Sequence, residues 1–248
     1  MMKLPDSFLD RPIAHRALHD DAKAENSLEA VQAAVEAGYG IEIDIQPSRD
    51  GTPMVFHDYD MARLTGVAGP IAQMGTAALT AIPLLGGGTI ATLAKVLEVV
   101  AGRVPLLIEI KDQDGALGTN VGPLEQAVAE VLKGYEGDVA LMSFNPNSVA
   151  ACREYAPDIP RGITTCSYPA GSWPMVPKAV RHAQARIPDF ARVGACFISH
   201  QQDDLASPHA IRIQNSGFPV LCWTVTSPEM ETRARKIADN ITFEGYLA

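Results

Sequence analysis

Acidic and basic residues stand at alternate positions in two short apolar runs of this sequence. In "IEIDIQ" (41–46), Glu42 and Asp44 sit between isoleucines. On a β-strand that spacing sends both carboxylates to one face and Ile41, Ile43 and Ile45 to the other. In "LLIEIK" (106–111), Glu109 and Lys111 share a face, with Ile108 and Ile110 opposite. Three carboxylates from two strands fit a hard-oxygen site for a divalent cation, Mg2+ or Ca2+. The cation would offset a repulsion that buried, unpaired charges do not tolerate. A structural network of ion pairs closing the end of a sheet accounts for the same residues. Arg16 and Lys111 serve either reading, as ion-pair partners or as cations for an anionic ligand.

Two histidines stand near these groups in the pattern. His15, with Arg16, closes the strand "PIAHR", and His57 closes "MVFH". Imidazole titrates near neutrality, so a strand-end histidine suits proton transfer, while a packing role is equally open. His19, His182, His200 and His209 take the structural default. "ENSLE" offers Asn26 as a helix N-cap with Glu29 three residues on, a capping-box start that needs no function; a functional Asn26 is as good a reading. Trp223, between Leu221 and Val225 at alternate positions, fits core packing or the floor of a pocket.

The elements that position these residues alternate along the chain. Strands are expected at 12–16, 40–48, 52–58, 104–111, 138–145, 161–166, 195–200, 219–225 and 240–245. Helices are expected at 27–38, 92–100, 123–134, 147–156, 178–187, 208–216 and 228–238. Asn145–Pro146, Ser207–Pro208 and Ser227–Pro228 each place a capping residue before a proline at the first helical position. Apolar strands separated throughout by helices imply a parallel sheet under helices. About eight such units in 248 residues predict a single-domain (β/α)8 TIM barrel over 1–248. An open doubly wound sheet is the alternative, weakened because no G-x-G-x-x-G follows the first strand. "LGGGT" (85–89) lacks the lysine of a phosphate-binding loop and reads as a plain loop. The stretch 167–190, rich in proline at its start and carrying Trp173, is either a loop over the barrel mouth or a long connection along its flank.

Composition limits the partners. An apolar fraction of 47% and a charged fraction of 20% describe an ordinary folded chain. The net charge of −9 argues against nucleic acid and anionic membrane surfaces. No stretch has the length of a signal peptide or a membrane span, so no stable membrane insertion and a cytoplasmic location are expected. Cys152, Cys166, Cys196 and Cys222 are scattered, as suits reduced, buried side chains.

Taken in order, "AHRA" (14–17), "AENS" (24–27), "GIEIDIQPSRDG" (40–51), "VFHD" (55–58), "MARLTG" (61–66), "LIEIK" (107–111) and "CWTV" (222–225) resemble the signature segments of the glycerophosphodiester phosphodiesterase family. The resemblance implies a TIM barrel and a divalent cation, usually Mg2+ or Ca2+. It also implies hydrolysis of a small-molecule glycerophosphodiester to sn-glycerol 3-phosphate and an alcohol. By position it makes Glu42, Asp44 and Glu109 metal ligands, and His15 and His57 the acid–base pair. Arg16 and Lys111 match phosphate contacts, Glu25 and Asn26 belong to the "P-E-N" segment, and Trp223 matches an aromatic near the substrate. Four segments depart from the family: Ala17 and Ala24 replace its glycine and proline, Ser48 its threonine, and "NITFEGYLA" its late aspartate segment. Phospholipase D-like hydrolysis of lysophospholipid or sphingomyelin headgroups, or a non-catalytic phosphate-binding barrel, are the competing readings.

Overall fold

The computed structural model describes residues 2–248. Its strands are β1 (Ile13–Ala14), β2 (Gly40–Pro47), β3 (Pro53–Val55), β4 (Ala91–Thr92), β5 (Leu106–Ile110), β6 (Val139–Ser143), β7 (Arg161–Thr165), β8 (Phe197–Gln201), β9 (Val220–Val225) and β10 (Asn240–Phe243). The helices are α1 (Ser7–Asp10), α2 (Leu28–Ala37), α3 (Ala62–Thr65), α4 (Thr76–Leu79), α5 (Leu93–Val100), α6 (Pro123–Leu132), α7 (Pro146–Tyr155), α8 (Lys178–Gln184), α9 (Pro208–Asn215) and α10 (Pro228–Ala234). Of the ten strands, β3 and β4 form an antiparallel ribbon on β2. The other eight pair in parallel, and β1 joins both β2 and β10, which closes the ring. The fold is the expected (β/α)8 TIM barrel, and its closure excludes the open sheet.

The alternation in "IEIDIQ" sets which side of β2 meets the helices. Ile41, Ile43 and Ile45 are fully buried and join one apolar cluster with Ala30, Val31 and Ala34 of α2 and Val96 of α5. Each such side chain contributes about 1.5–3 kcal/mol on burial. Inside the barrel, Leu107, Ala140, Phe197 and Leu221 pack with Phe8 of α1, which plugs the amino-terminal end. Gly162 makes room for this plug, since a Cβ there would lie 2.4 Å from the Phe197 ring. The barrel interior is therefore sealed below and open only at the carboxyl ends of its strands.

Helix starts follow the chemistry of their capping residues. The side chains of Ser207 and Ser227 accept from the backbone N–H three residues on, and Asn145 accepts from that of Asn147, each before a proline at the first turn. At α2 the cap is Ser27, whose Oγ accepts from Ala30 N at 3.1 Å, so of the two readings open for Asn26 the capping one falls to its neighbour. β1 is also shorter than expected, because Arg16 and Ala17 turn into left-handed conformations with φ of 51° and 65°. An alanine there carries a strain of about 1–2 kcal/mol. Burial of its methyl offsets about 0.8 kcal/mol of that strain. "LGGGT" is a close approach rather than a plain spacer: a Cβ on Gly86 would lie 3.0 Å from the Ala24 backbone, which holds "AENS" in place.

His200, at the end of β8, is fully buried. Its Nδ1 lies 2.7 Å from Thr165 Oγ1 and its Nε2 3.1 Å from the Asp204 carbonyl. Burial lowers its pKa from the ordinary 6.5, against an opposing pull from Asp204. As pH falls through about 6.5 the unfolded chain gains a proton that the native protein does not. Stability therefore drops across that window, by at most ~1.4 kcal/mol per pH unit from this residue, until the lower native value is passed. Urea midpoints from pH 7.5 to 5 should fall less steeply for His200→Gln than for the wild type. Parallel slopes would remove His200 as a source of acid sensitivity.

Candidate active site

β2 and β5 are parallel neighbours in a register that sets Glu42 beside Leu107 and Asp44 beside Glu109. Because alternate residues face inward, all three carboxylates enter the barrel mouth. One oxygen from each of Glu42, Asp44 and Glu109 lies within 4.8 Å of the others, and all three residues are buried. Lys111, two residues beyond Glu109, returns its Nζ to Glu109 Oε1 at 2.7 Å and to Asp44 Oδ1 at 3.2 Å. Arg16 approaches from β1, with its backbone N–H on Glu42 Oε2 at 2.9 Å and its Nε 3.6 Å from Asp44 Oδ2.

Asn26 completes the set. Its left-handed backbone, φ 60°, aims the amide inward, where Nδ2 donates to Asp44 Oδ2 at 3.0 Å and Oδ1 accepts from Asp44 N at 3.2 Å. Three carboxylates face two fixed cations, Arg16 and Lys111. Burial, then the charges of Asp44 and Glu109, push the Glu42 carboxyl well above its usual range. Burial acts the same way on Asp44, yet Lys111, His57 and Arg16 hold that carboxyl well below it. Burial opposes the charge on Lys111, but Glu109 and Asp44 raise its pKa above the ordinary lysine value. A buried donor set of three carboxylates, all oxygen, fits a hard divalent cation.

Both sequence-predicted histidines reach this chamber, each backed by a carboxylate. His15 Nδ1 lies 2.6 Å from Glu244 Oε2, just past β10, and His57 Nδ1 lies 2.6 Å from Asp58 Oδ1. With Nδ1 engaged, the nitrogen of each ring left for a further partner is Nε2. His19, expected to be structural, brings its Nε2 to 3.5 Å from the same Glu244 oxygen. The hydrogen bond from His15, with the His19 ring close by, holds the Glu244 carboxyl well below the usual range. Burial lowers the His57 pKa, with Asp44 pulling the other way.

Arg63, in "MARLTG", links both halves of the mouth. Its guanidinium donates to Asp58 at 2.6 and 3.0 Å and to Glu25 at 2.8 and 2.7 Å. Glu25 in turn accepts from Arg16 Nη1 at 2.8 Å. A continuous chain of charges thus runs from His57 to Arg16. Trp223 is half-buried, donates from Nε1 to the Ser199 carbonyl at 3.0 Å, and packs edge-on with Phe144. The residues singled out by spacing therefore converge on one mouth, while Glu244, Asp58 and Arg63 were missed. Asp58 and Glu244 had a readable signal, since each directly follows strand-end residues; Arg63 had none beyond its segment.

Two spaces meet at this plane. An inner chamber of about 90 Å³ is lined by His15, Arg16, the three carboxylates and Lys111, together with Thr164, Ser199 and Thr242. An outer groove of about 890 Å³ begins at His57, Glu109 and Lys111 and continues between Tyr59 and Met175. Phe144 and Trp223 line both. The stretch after β7 therefore lies over the mouth. All four cysteines are buried and free, and no helix among the described residues is long and apolar enough to cross a membrane.

The model of the glycerophosphoryl diester phosphodiesterase family matches residues 15–241. The chain is 32% identical over 150 residues to YqiK of Bacillus subtilis, covering 57% of this chain and 61% of that protein. It is 28% identical over 162 residues to a glycerophosphodiester phosphodiesterase of Bacillus altitudinis, covering 61% and 65%. The matched part thus spans less than two thirds of these curated relatives. Among solved structures it resembles an Oleispira antarctica phosphodiesterase in complex with the product sn-glycerol-3-phosphate. That likeness has a TM-score of 0.76 and 26% identity over 96% of this chain and 94% of the other.

Proposed function

The chain belongs to the glycerophosphoryl diester phosphodiesterase family, and on that footing we propose that it hydrolyses glycerophosphodiesters to sn-glycerol 3-phosphate and an alcohol. The observation that carries this reading is the pair of carboxylate-backed imidazoles, His15 and His57, on the wall of a chamber built from three buried carboxylates. The product bound by the Oleispira relative supports the substrate class.

Glu42, Asp44 and Glu109 would hold a divalent cation, Mg2+ or Ca2+, which supplies Lewis-acid stabilisation of phosphoryl oxygens. Arg16 and Lys111 add positive charge where negative charge gathers in the transition state. One imidazole takes the proton of the attacking oxygen, from water or from the substrate's own glycerol hydroxyl. The other delivers a proton to the departing alkoxide, so the alcohol leaves neutral. Asn26 fixes the Asp44 carboxylate, and Arg63 holds the carboxylates behind His57 and Arg16. Trp223 walls the substrate space. Release of sn-glycerol 3-phosphate from a panel of glycerophosphodiesters, with Mg2+ or Ca2+, tests the proposal. Turnover no higher than that of a folded His15→Ala variant would defeat it.

Glu244 is assigned as a positioning residue acting through His15. Glu244→Gln should lower kcat by about 10–100-fold with little change in KM, and Glu244→Asp should recover part of the loss. Equal effects on kcat and KM, or no rescue, would reduce Glu244 to a structural role.

A further inference from the structure

The division of the mouth into two unlike spaces bears on which diester fits, given the hydrolase reading above. The inner chamber is small and polar. Its lining includes Thr164, Ser199 and Thr242, whose hydroxyls are buried and have no hydrogen-bond partner among the described residues. Buried hydroxyls without partners are costly, and a polyol is a ligand that would satisfy them. The outer groove is roughly ten times larger and is walled by Phe144, Trp173, Met175, Val176 and Trp223. At its two rims Tyr59 is 52% and Met175 78% exposed.

The charges around this groove are already engaged. Arg63 is paired with Asp58 and Glu25. Asp60 accepts from the backbone of Ala62 and Gly69. Asp112 accepts from Asp114 N, Leu117 N and Asn145 Nδ2. Phe144 packs edge-to-face on Trp173 and Trp223 at 4.9 and 5.5 Å, which joins the two indoles into one aromatic wall. What remains on offer is a continuous apolar wall, connected to the reacting centre through His57, Glu109 and Lys111.

We propose that the preferred substrate is a glycerophosphodiester whose alcohol carries an alkyl, acyl or aryl body. The glycerol end occupies the inner chamber and the apolar alcohol lies in the outer groove along Trp173 and Met175. Each methylene buried there contributes about a fourfold factor, so a chain of modest length outweighs a polar headgroup.

The test compares three soluble esters below their micellar concentrations: the n-octyl ester of sn-glycerol 3-phosphate, glycerophosphocholine, and 1-octanoyl-glycerophosphocholine. The octyl ester should exceed glycerophosphocholine in kcat/KM by at least about tenfold. That ratio should fall toward one in Met175→Asp and in Trp173→Ala. Equal kcat/KM for the two esters, or a ratio that survives both substitutions, overturns the proposal. Faster choline release from the octanoyl compound overturns it as well, because the chain then belongs on the glycerol side. Calorimetric binding of the same esters to His15→Ala separates the two layers of the argument. Tighter binding of the octyl ester without turnover by the wild type would sink the hydrolase reading and keep the groove. Turnover of glycerophosphocholine with no octyl preference in rate or binding would sink the groove and keep the hydrolase.

Discussion

Replacing His57 with alanine should lower kcat on glycerophosphodiesters by about 10²–10⁴-fold, the range for loss of a general acid or base. The ring is held by a 2.6 Å bond from Nδ1 to Asp58, itself clamped by Arg63, so its position is determined before substrate arrives. Because His57 lies at the mouth with its side chain 30% exposed, outside the apolar core, the variant should fold normally. His15→Ala should cost a similar factor. The double variant should be little worse than either single one, since residues that act in one proton-transfer sequence do not contribute additively. Single-turnover rates would check this. A His57→Ala variant retaining a tenth or more of wild-type kcat would remove it from the proton-transfer pair.

Exhaustive chelation should abolish turnover while leaving the barrel folded. Glu42, Asp44 and Glu109 carry three formal negative charges against Arg16 and Lys111. Those two cations, with Glu42 disposed to protonate, keep the cation-free site tolerable. A cation that binds only the native state adds stability, about 2.7 kcal/mol at a hundredfold excess over Kd. In a chain of this size that corresponds to a Tm rise of roughly 5–10 °C. Adding back Mg2+ or Ca2+ should restore both Tm and activity in the wild type, and neither in Glu109→Gln. Unchanged turnover after complete chelation would count against the three-carboxylate site.

Much of the site was legible because strand alternation is a local property. The period of two in "IEIDIQ" and "LIEIK" commits the isoleucines to the helix side and the acids to the interior, whatever the rest of the chain does. Asn26 was legible only as an ambiguity: its neighbour Ser27 caps the helix equally well, and only the left-handed turn reveals which of the two reaches Asp44.

By itself, then, the sequence determined the strand–helix alternation, the inward face of each acidic strand, the capped helix starts and the residue types the chemistry needs. Only the tertiary structure decided which groups meet. The register of β2 on β5 sets Asp44 beside Glu109, and closure of β10 onto β1 brings Glu244 to His15 across 229 positions. Arg63 joins Glu25 to Asp58 by reaching over a turn. Such pairings have no periodic signature, because they depend on how packed strands close a ring rather than on local backbone preference. The same holds for the two spaces at the mouth: Trp173 and Met175 carry no pattern in the chain, and become the wall of a groove only when the loop after β7 folds over the barrel.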